Sequence, residues 1–284
     1  MVKAATPAPR ATPAGRARAT SAGRSPAAKR AASKKAAPPA ATKAPRAVKP
    51  RTTLTAAERS KAAASAAVTF EKLRALHPDA HCELDHRTPF QLLVATVLSA
   101  QTTDKLVNKV TPHLFARYPD APSLAAAEPP DVAALLGSLG LGMYNQKARN
   151  IVGLARGLME RHRGEVPRTL AELILLPGVG RKTANVVLGV AFGAPEGVVV
   201  DTHVQRIAQR LGWTKHTEPP EIEQDLCRLF PERDWDMLSH TLIFHGRRVC
   251  AAVKPACASC GVSDLCPSAY QAVKIGRKPP RIRT

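Results

Sequence analysis

Aromatic residues are scarce in this chain: Phe, Trp and Tyr make up 4% of its 284 residues. Its core must therefore be built mainly from Leu, Val, Ile and Ala, and an apolar fraction of 44% supplies enough of them. Acids are scarce as well, with 22 Asp and Glu against 42 Lys and Arg and a formal charge of +20. That balance argues against an acidic metabolic enzyme and for a polyanionic partner, most simply nucleic acid. No run of 18 apolar residues occurs, so no membrane-spanning helix and no membrane partner is expected. No apolar stretch follows the basic start, which argues against a secretory signal. Six Cys in an unsecreted chain are expected to be reduced rather than paired as disulfides.

The charge is unevenly placed. Residues 1–51 hold 13 Lys or Arg and no acid, the first acidic residue being Glu58, so residues 52–284 carry the remaining +7. Ala, Pro, Lys, Arg, Ser and Thr dominate the start, and no aromatic residue precedes Phe70. Such a segment buries too little surface to offset its ordering entropy, and residues 1–54 read as a disordered tail. A tail of this charge can tether DNA by displacing counterions from phosphates. A transit peptide or an inert extension are the plainer readings, although eight Pro in the first 50 residues suit an amphipathic transit helix poorly.

Beyond Thr55 the pattern is helical. Thr55 with Glu58, Thr88 with Gln91 and Thr169 with Glu172 match the capping box, and Pro89 follows Thr88 at a first-turn position. Leu92, Leu93, Thr96, Val97 and Ala100 recur at helical spacing. Asn145 reads as the cap of a helix to about Arg161, and segments 201–211, 221–230 and 234–248 as further helices. Pro112, Pro119 and Pro195 read as breaks, and Val198–Val200 is too short to found a sheet. The fold class is therefore all-α with short loops.

Four Cys fall close together at Cys250, Cys257, Cys260 and Cys266, a C-x6-C-x2-C-x5-C spacing. Thiolates this dense suggest one metal centre. Zinc usually takes two C-x2-C knuckles or adds His, whereas only Cys257 and Cys260 form a knuckle here. A [4Fe–4S] cluster suits the wider spacing better. Cys82 and Cys227 have no local partner and read as isolated thiols.

Residues 173–187 read LILLPGVGRKTANVV. An apolar helix is expected to end at Leu176, Pro177 forbids its continuation, and a second helix starts near Arg181. Gly178 and Gly180 allow the unusual angles of a helix hairpin. Unbonded N–H groups at the second helix start suit a DNA phosphate. Arg181 and Lys182 stand in that first turn, where the helix dipole disfavours each cation by about 0.3–1 kcal/mol. Phosphate binding would offset this for both. A nucleophilic role is a second reason for Lys182, because the positive helix end disfavours an ammonium. A solvated surface Lys is the plainer reading. Asp201, in VVVDTHVQR, reads first as a helix cap. Its sharper reading is a carboxylate that faces Lys182 across a cleft.

Taken together, LPGVGRKTANVV, VDTH and the Cys spacing resemble the endonuclease III family of DNA glycosylases, of the helix-hairpin-helix superfamily. LLVATVLSAQTTD (92–104) and GMYNQKA (142–148) are similar to that family too, so the resemblance spans about residues 55–270. It implies two helical domains with a DNA cleft between them: a six-helix barrel over 82–195, and a discontinuous cluster domain from 55–81 and 196–270. Residues 271–284 remain as a basic extension. It further implies removal of oxidised pyrimidines from duplex DNA and cleavage of the abasic site by β-elimination, by a monomer. Lys182 matches the family's nucleophile and Asp201 its catalytic aspartate. The four cluster Cys match its [4Fe–4S] ligands. Gln101 matches the residue that fills the gap left by a flipped base, Leu141 and Met143 the wedge positions, and Lys254 a phosphate contact, with Arg247 and Arg248 as candidates beside it. This chain departs from the pattern in Met143, where Leu or an aromatic is usual, and in an extra Gly140. A non-catalytic DNA binder and a monofunctional adenine mismatch glycosylase are the alternatives. The latter lacks a Lys at this position and carries a further C-terminal domain. A bacterial cytoplasm, at the nucleoid, is the simplest location.

Overall fold

The computed structural model describes residues 56–271, so the readings of residues 1–54 as a tail and of the last residues as an extension fall outside it. Among the described residues every regular element is helical. In chain order they are α1 (Ala56–Leu76), α2 (Pro89–Leu98), α3 (Asp104–Arg117), α4 (Ala121–Ala125), α5 (Pro129–Ser138) and α6 (Tyr144–His162). Then follow α7 (Leu170–Leu173), α8 (Arg181–Phe192), α9 (Thr202–Arg210), α10 (Pro219–Leu229) and α11 (Trp235–Arg248). Val198–Val200 is buried but forms no strand.

Two hydrophobic cores hold these helices. The first runs from Leu84 to Leu188 and is centred on α2, in which Phe90 and every residue from Leu92 to Leu98 are buried. α8 packs on α2, while α4 and α5 pack on α6 through Leu124, Leu136, Ile151 and Leu158. The second core takes Ala66, Phe70 and Leu73 from α1 and then the chain from Val198 to Val262. Phe230 meets Phe70 and Trp213 edge to face, with ring centroids 5.5 and 5.0 Å apart. Such pairs contribute about 0.5–1.5 kcal/mol each beyond the area they bury. Three of the chain's eleven aromatics thus meet where α1 joins the later helices. α11 packs on both α9 and α8 and so spans the two cores.

Several local expectations need correction. α7 stops at Leu173 rather than Leu176: Ile174 and Leu175 are exposed, and Leu176 reaches the first core from the turn that follows. α6 begins at Tyr144 behind Met143, whose left-handed φ of 55° ends the preceding loop, so Asn145 lies inside the helix. α3 continues through Pro112; burial of Val107, Val110, Thr111 and Leu114 outweighs the lost hydrogen bond. Thr88 accepts from the Gln91 N–H as a cap should, but the Gln91 side chain accepts from Arg87 N instead of closing the box on Thr88. The pairing of Thr55 with Glu58 falls outside what is described.

Candidate active site and cysteine centre

The hairpin is built as its glycines require. Gly178 has φ +78°, and a Cβ there would lie 2.9 Å from Asn150 of α6. Gly180 caps α8 without a side-chain bond, and a Cβ there would meet nothing within 4 Å. The first N–H groups of α8 are therefore left open on that side, the arrangement that receives an anion.

Arg181 and Lys182 diverge from this helix end. Arg181 Nε and Nη2 donate to both carboxylate oxygens of the largely buried Glu223 at 2.8–3.1 Å, which raises the guanidinium's proton affinity further. Glu223 thus supplies a reason for a cation at this helix start without any phosphate. Lys182 is exposed and makes no hydrogen bond or ion pair with a described residue. It lines a cavity of about 110 Å³ together with Asp201, Asp104, Cys82, Asp236 and His240.

Asp201 caps α9: its Oδ1 accepts from His203 N at 2.7 Å and Val204 N at 2.8 Å. Its Oδ2 accepts from no described residue. The carboxylate divides its two oxygens, one fixing the helix and one left on the Lys182 cavity, so the two readings of Asp201 are compatible. Asp104, the first residue of α3, accepts from Arg247 Nη2 at 2.9 Å, and Arg247 also pairs with Glu83. Burial is the largest influence on the Asp104 carboxyl and pushes it up, as does the charge of Asp201, while the charge of Lys182 pulls the other way.

The remaining candidates lie apart from this cavity. Gln101 is exposed just beyond α2 with a left-handed φ of 54°. The next residue, Thr102, accepts from the Nζ of Lys147, a buried amine whose proton affinity burial lowers. Leu141 is 2% exposed and belongs to the first core, whereas Met143 is half exposed. Lys254 is exposed beside Val253. Arg248 is taken by Asp79 at 2.7 and 2.9 Å.

All four cluster cysteines line a second cavity, of about 30 Å³. That exceeds the roughly 10–15 Å³ one water-sized body occupies. Among the described residues no three His, Cys, Asp or Glu stand close enough to share a single metal ion. Burial pushes the Cys260 and Cys266 thiols up. Arg210 Nη1 donates to Cys250 Sγ at 3.2 Å and to the carbonyl of Ala251, and its Nη2 to that of Ala252. Arg206 donates to the carbonyls of Cys250 and Gly246. His245 stands 3.7 Å from Cys260 Sγ and 3.1 Å from His77, and burial lowers its pKa to about 4.

Residues 94–232 match the model of the HhH-GPD superfamily base excision DNA repair proteins. The chain is 55% identical over 197 residues to the endonuclease III of Synechocystis, covering 69% of this chain and 89% of that protein. The chain belongs to the endonuclease III family. The Bacillus subtilis endonuclease III is 45% identical over 73% of this chain and 94% of its own length. The Escherichia coli protein is 44% identical over 69% and 91%. The solved structure of a trapped endonuclease III–DNA covalent intermediate matches with a TM-score of 0.69 at 44% identity, covering 74% of this chain and 97% of that one. A non-covalent endonuclease III–DNA complex matches with the same TM-score at 43% identity. This family member is a base excision repair DNA glycosylase with abasic-site lyase activity.

Sequence reasoning missed Arg206 and Arg210, which read as two more cations in a basic chain. Their signal was the company they keep, on the helix face of Val204, Ile207, Ala208 and Leu211. It also missed Asp104, which ends the string LLVATVLSAQTTD without a role assigned to it, and Asp236 and His240, which carry no motif of their own.

Proposed function

We propose that this chain removes oxidised pyrimidines from duplex DNA and cleaves the resulting abasic site by β-elimination. The observation that carries this reading is the shared cavity of Lys182 and Asp201, with one Asp201 oxygen uncommitted. A damaged nucleotide leaves the stack at a cost of a few kcal/mol, least when the lesion stacks poorly. The Lys182 amine forms a bond to C1′ as the base departs with the glycosidic electron pair. The free Asp201 oxygen stabilises positive charge that develops on the sugar. The C1′ adduct opens to a Schiff base, C2′ loses a proton, and the 3′ phosphate leaves with its C–O electron pair.

The open N–H groups after Gly178 and Gly180 would take a phosphate, with Arg181 beside them. Gln101 would fill the gap left in the duplex. Met143, on an exposed left-handed turn, suits a wedge; buried Leu141 anchors its loop from below. Cys250, Cys257, Cys260 and Cys266 would hold a [4Fe–4S] cluster. Four thiols around one cavity support a single shared centre. When bound, the cluster ties the loop that carries Lys254 to the α9–α11 core. The basic tail would add a salt-sensitive tether, each phosphate contact steepening the log–log salt slope by about 0.9. The enzyme would act as a monomer at the nucleoid of a bacterial cytoplasm. No described helix is long and apolar enough to cross a membrane.

Borohydride trapping on a duplex with one abasic site tests this, with wild type beside Lys182→Ala. A covalent adduct in wild type alone is expected. Equal trapping by Lys182→Ala would remove the lysine from its role. No adduct with either would leave a monofunctional glycosylase or a binder.

A further inference from the structure

The cavity that holds Lys182 and Asp201 extends beyond what the chemistry at C1′ requires. Its walls include Leu84, Val186, Val199, Ile243 and Phe244. Its three hydroxyls have already spent their protons: Thr96 donates to the Leu92 carbonyl at 2.7 Å, Ser99 to that of Thr96 and Ser239 to that of Trp235, each at 2.8 Å. Ser239 also accepts from Val199 N. At the rim, Glu83 and Asp104 are paired with Arg247.

His240 differs from all of these. It is 8% exposed, and its Nε2 is fully enclosed without a hydrogen bond. The nearest acid is Asp236, one turn earlier on α11, whose Oδ1 lies 3.5 Å from that nitrogen, beyond good bonding range. The surroundings are shaped to keep Asp236 there. A Cβ at Gly189 of α8 would collide with the Asp236 carboxylate, so the helix that bears Lys182 is notched to admit it. Enclosed Nε2 is thus given over to Asp236, and Nδ1, which bonds no described residue, is the ring nitrogen left for a ligand.

We propose that His240, steadied by Asp236, is the group that reads the extruded base, hydrogen-bonding the polar edge of the oxidised pyrimidine while the apolar walls take its faces. This rests on the glycosylase reading above and names the specificity-determining residue within it. With Nε2 turned to Asp236, Nδ1 offers one hydrogen bond, as donor or acceptor according to the tautomer, to a pyrimidine edge of carbonyl and ring N–H groups. A site built to hydrogen-bond its ligand rejects analogues that lack the group far more strongly than an apolar pocket does.

The test compares two duplexes, one with a single thymine glycol and one with a single abasic site, where no base is present to be read. In His240→Phe the ratio of base release to abasic-site cleavage should fall about tenfold or more, the loss of one buried hydrogen bond. His240→Gln, which keeps a donor and an acceptor, should recover part of that ratio. An unchanged ratio in both variants, whether the two rates hold or fall together, overturns the proposal. Circular dichroism reports folding; should the Phe variant not fold, Gln and Asp236→Asn are read by the same ratio, which must still drop. Absence of abasic-site cleavage by wild type would instead strike the parent reading, and the role of His240 with it.

Discussion

Arg181 grips Glu223 with a fork, Nε and Nη2 spanning both carboxylate oxygens at 2.8–3.1 Å. Glu223 is 8% exposed, and a Cβ at Gly197 would collide with it, so the carboxylate is fixed from two sides. Because Arg181 is itself half exposed, the pair is worth less than a fully buried one. Arg181→Gln should lower unfolding free energy by about 1 kcal/mol, measured in urea. Gly197→Ala should do likewise by displacing Glu223. An Arg181→Gln protein of unchanged stability would mean that the fork contributes nothing.

Asp201 permits its two tasks to be separated. Asp201→Asn keeps a side-chain oxygen for the His203 and Val204 N–H groups, so stability should stay within about 0.5 kcal/mol. Asp201→Ala should cost about 1 kcal/mol through the lost cap. Both should lower base release by about 10²-fold or more, since both remove the charge. Denaturant melts and single-turnover rates decide; an Asn variant with full rate would make Asp201 a cap alone.

Arg210 is 1% exposed and bonds Cys250 Sγ with three carbonyls of the cysteine loop. Arg210→Met removes those donors and strands the carbonyls, for a loss of about 3 kcal/mol or more. Purified Arg210→Met should carry less iron per chain and less visible absorption than wild type. Equal iron content and equal melting would show that the loop holds itself.

The Arg248 bond keeps the Asp79 carboxyl below the usual carboxylate range, and Asp79 in turn raises Arg248. Arg248 also lies over the Phe244 ring, 4.4 Å from its centroid, which fixes the fork. A carboxyl depressed in the folded state contributes stability above its unfolded value and loses it as pH falls through its folded value. Asp79→Asn should therefore melt slightly earlier than wild type at neutral pH. The gap should close in acid, below the carboxylate range, and narrow in high salt. A gap that persists in acid would assign the effect to something other than charge.

How far the molecule was legible varies with the distance over which its causes act. The hairpin was legible because Pro177, Gly178 and Gly180 act on their own backbone. Even there, α7 came out a turn short: Ile174 and Leu175 are exposed, and Leu176 reaches the first core from the following turn. The Cys spacing suggested one centre, and all four thiols do line one cavity. The arginines that brace it were not legible, because Arg206 and Arg210 become interior only once the loop after α11 lies on α9. Lys182 and Asp201 could be picked out singly. That Asp104, Asp236 and His240 join them depends on helices brought together from far along the chain.

The second core receives its first residues from α1, ending with Leu73, and its next from Val198 onward. About 125 residues of chain separate the two contributions. At roughly 5–20 residues per second on a ribosome, α1 waits about 6–25 s for its partners. During that interval Phe70 and Leu73 have no interior to enter, while the first core, complete by Leu188, can already close. The newborn chain thus passes through a period in which the first core can be folded while α1 still waits with Phe70 and Leu73 uncovered. Moving α1 to the far end of the gene, by circular permutation, would remove that wait.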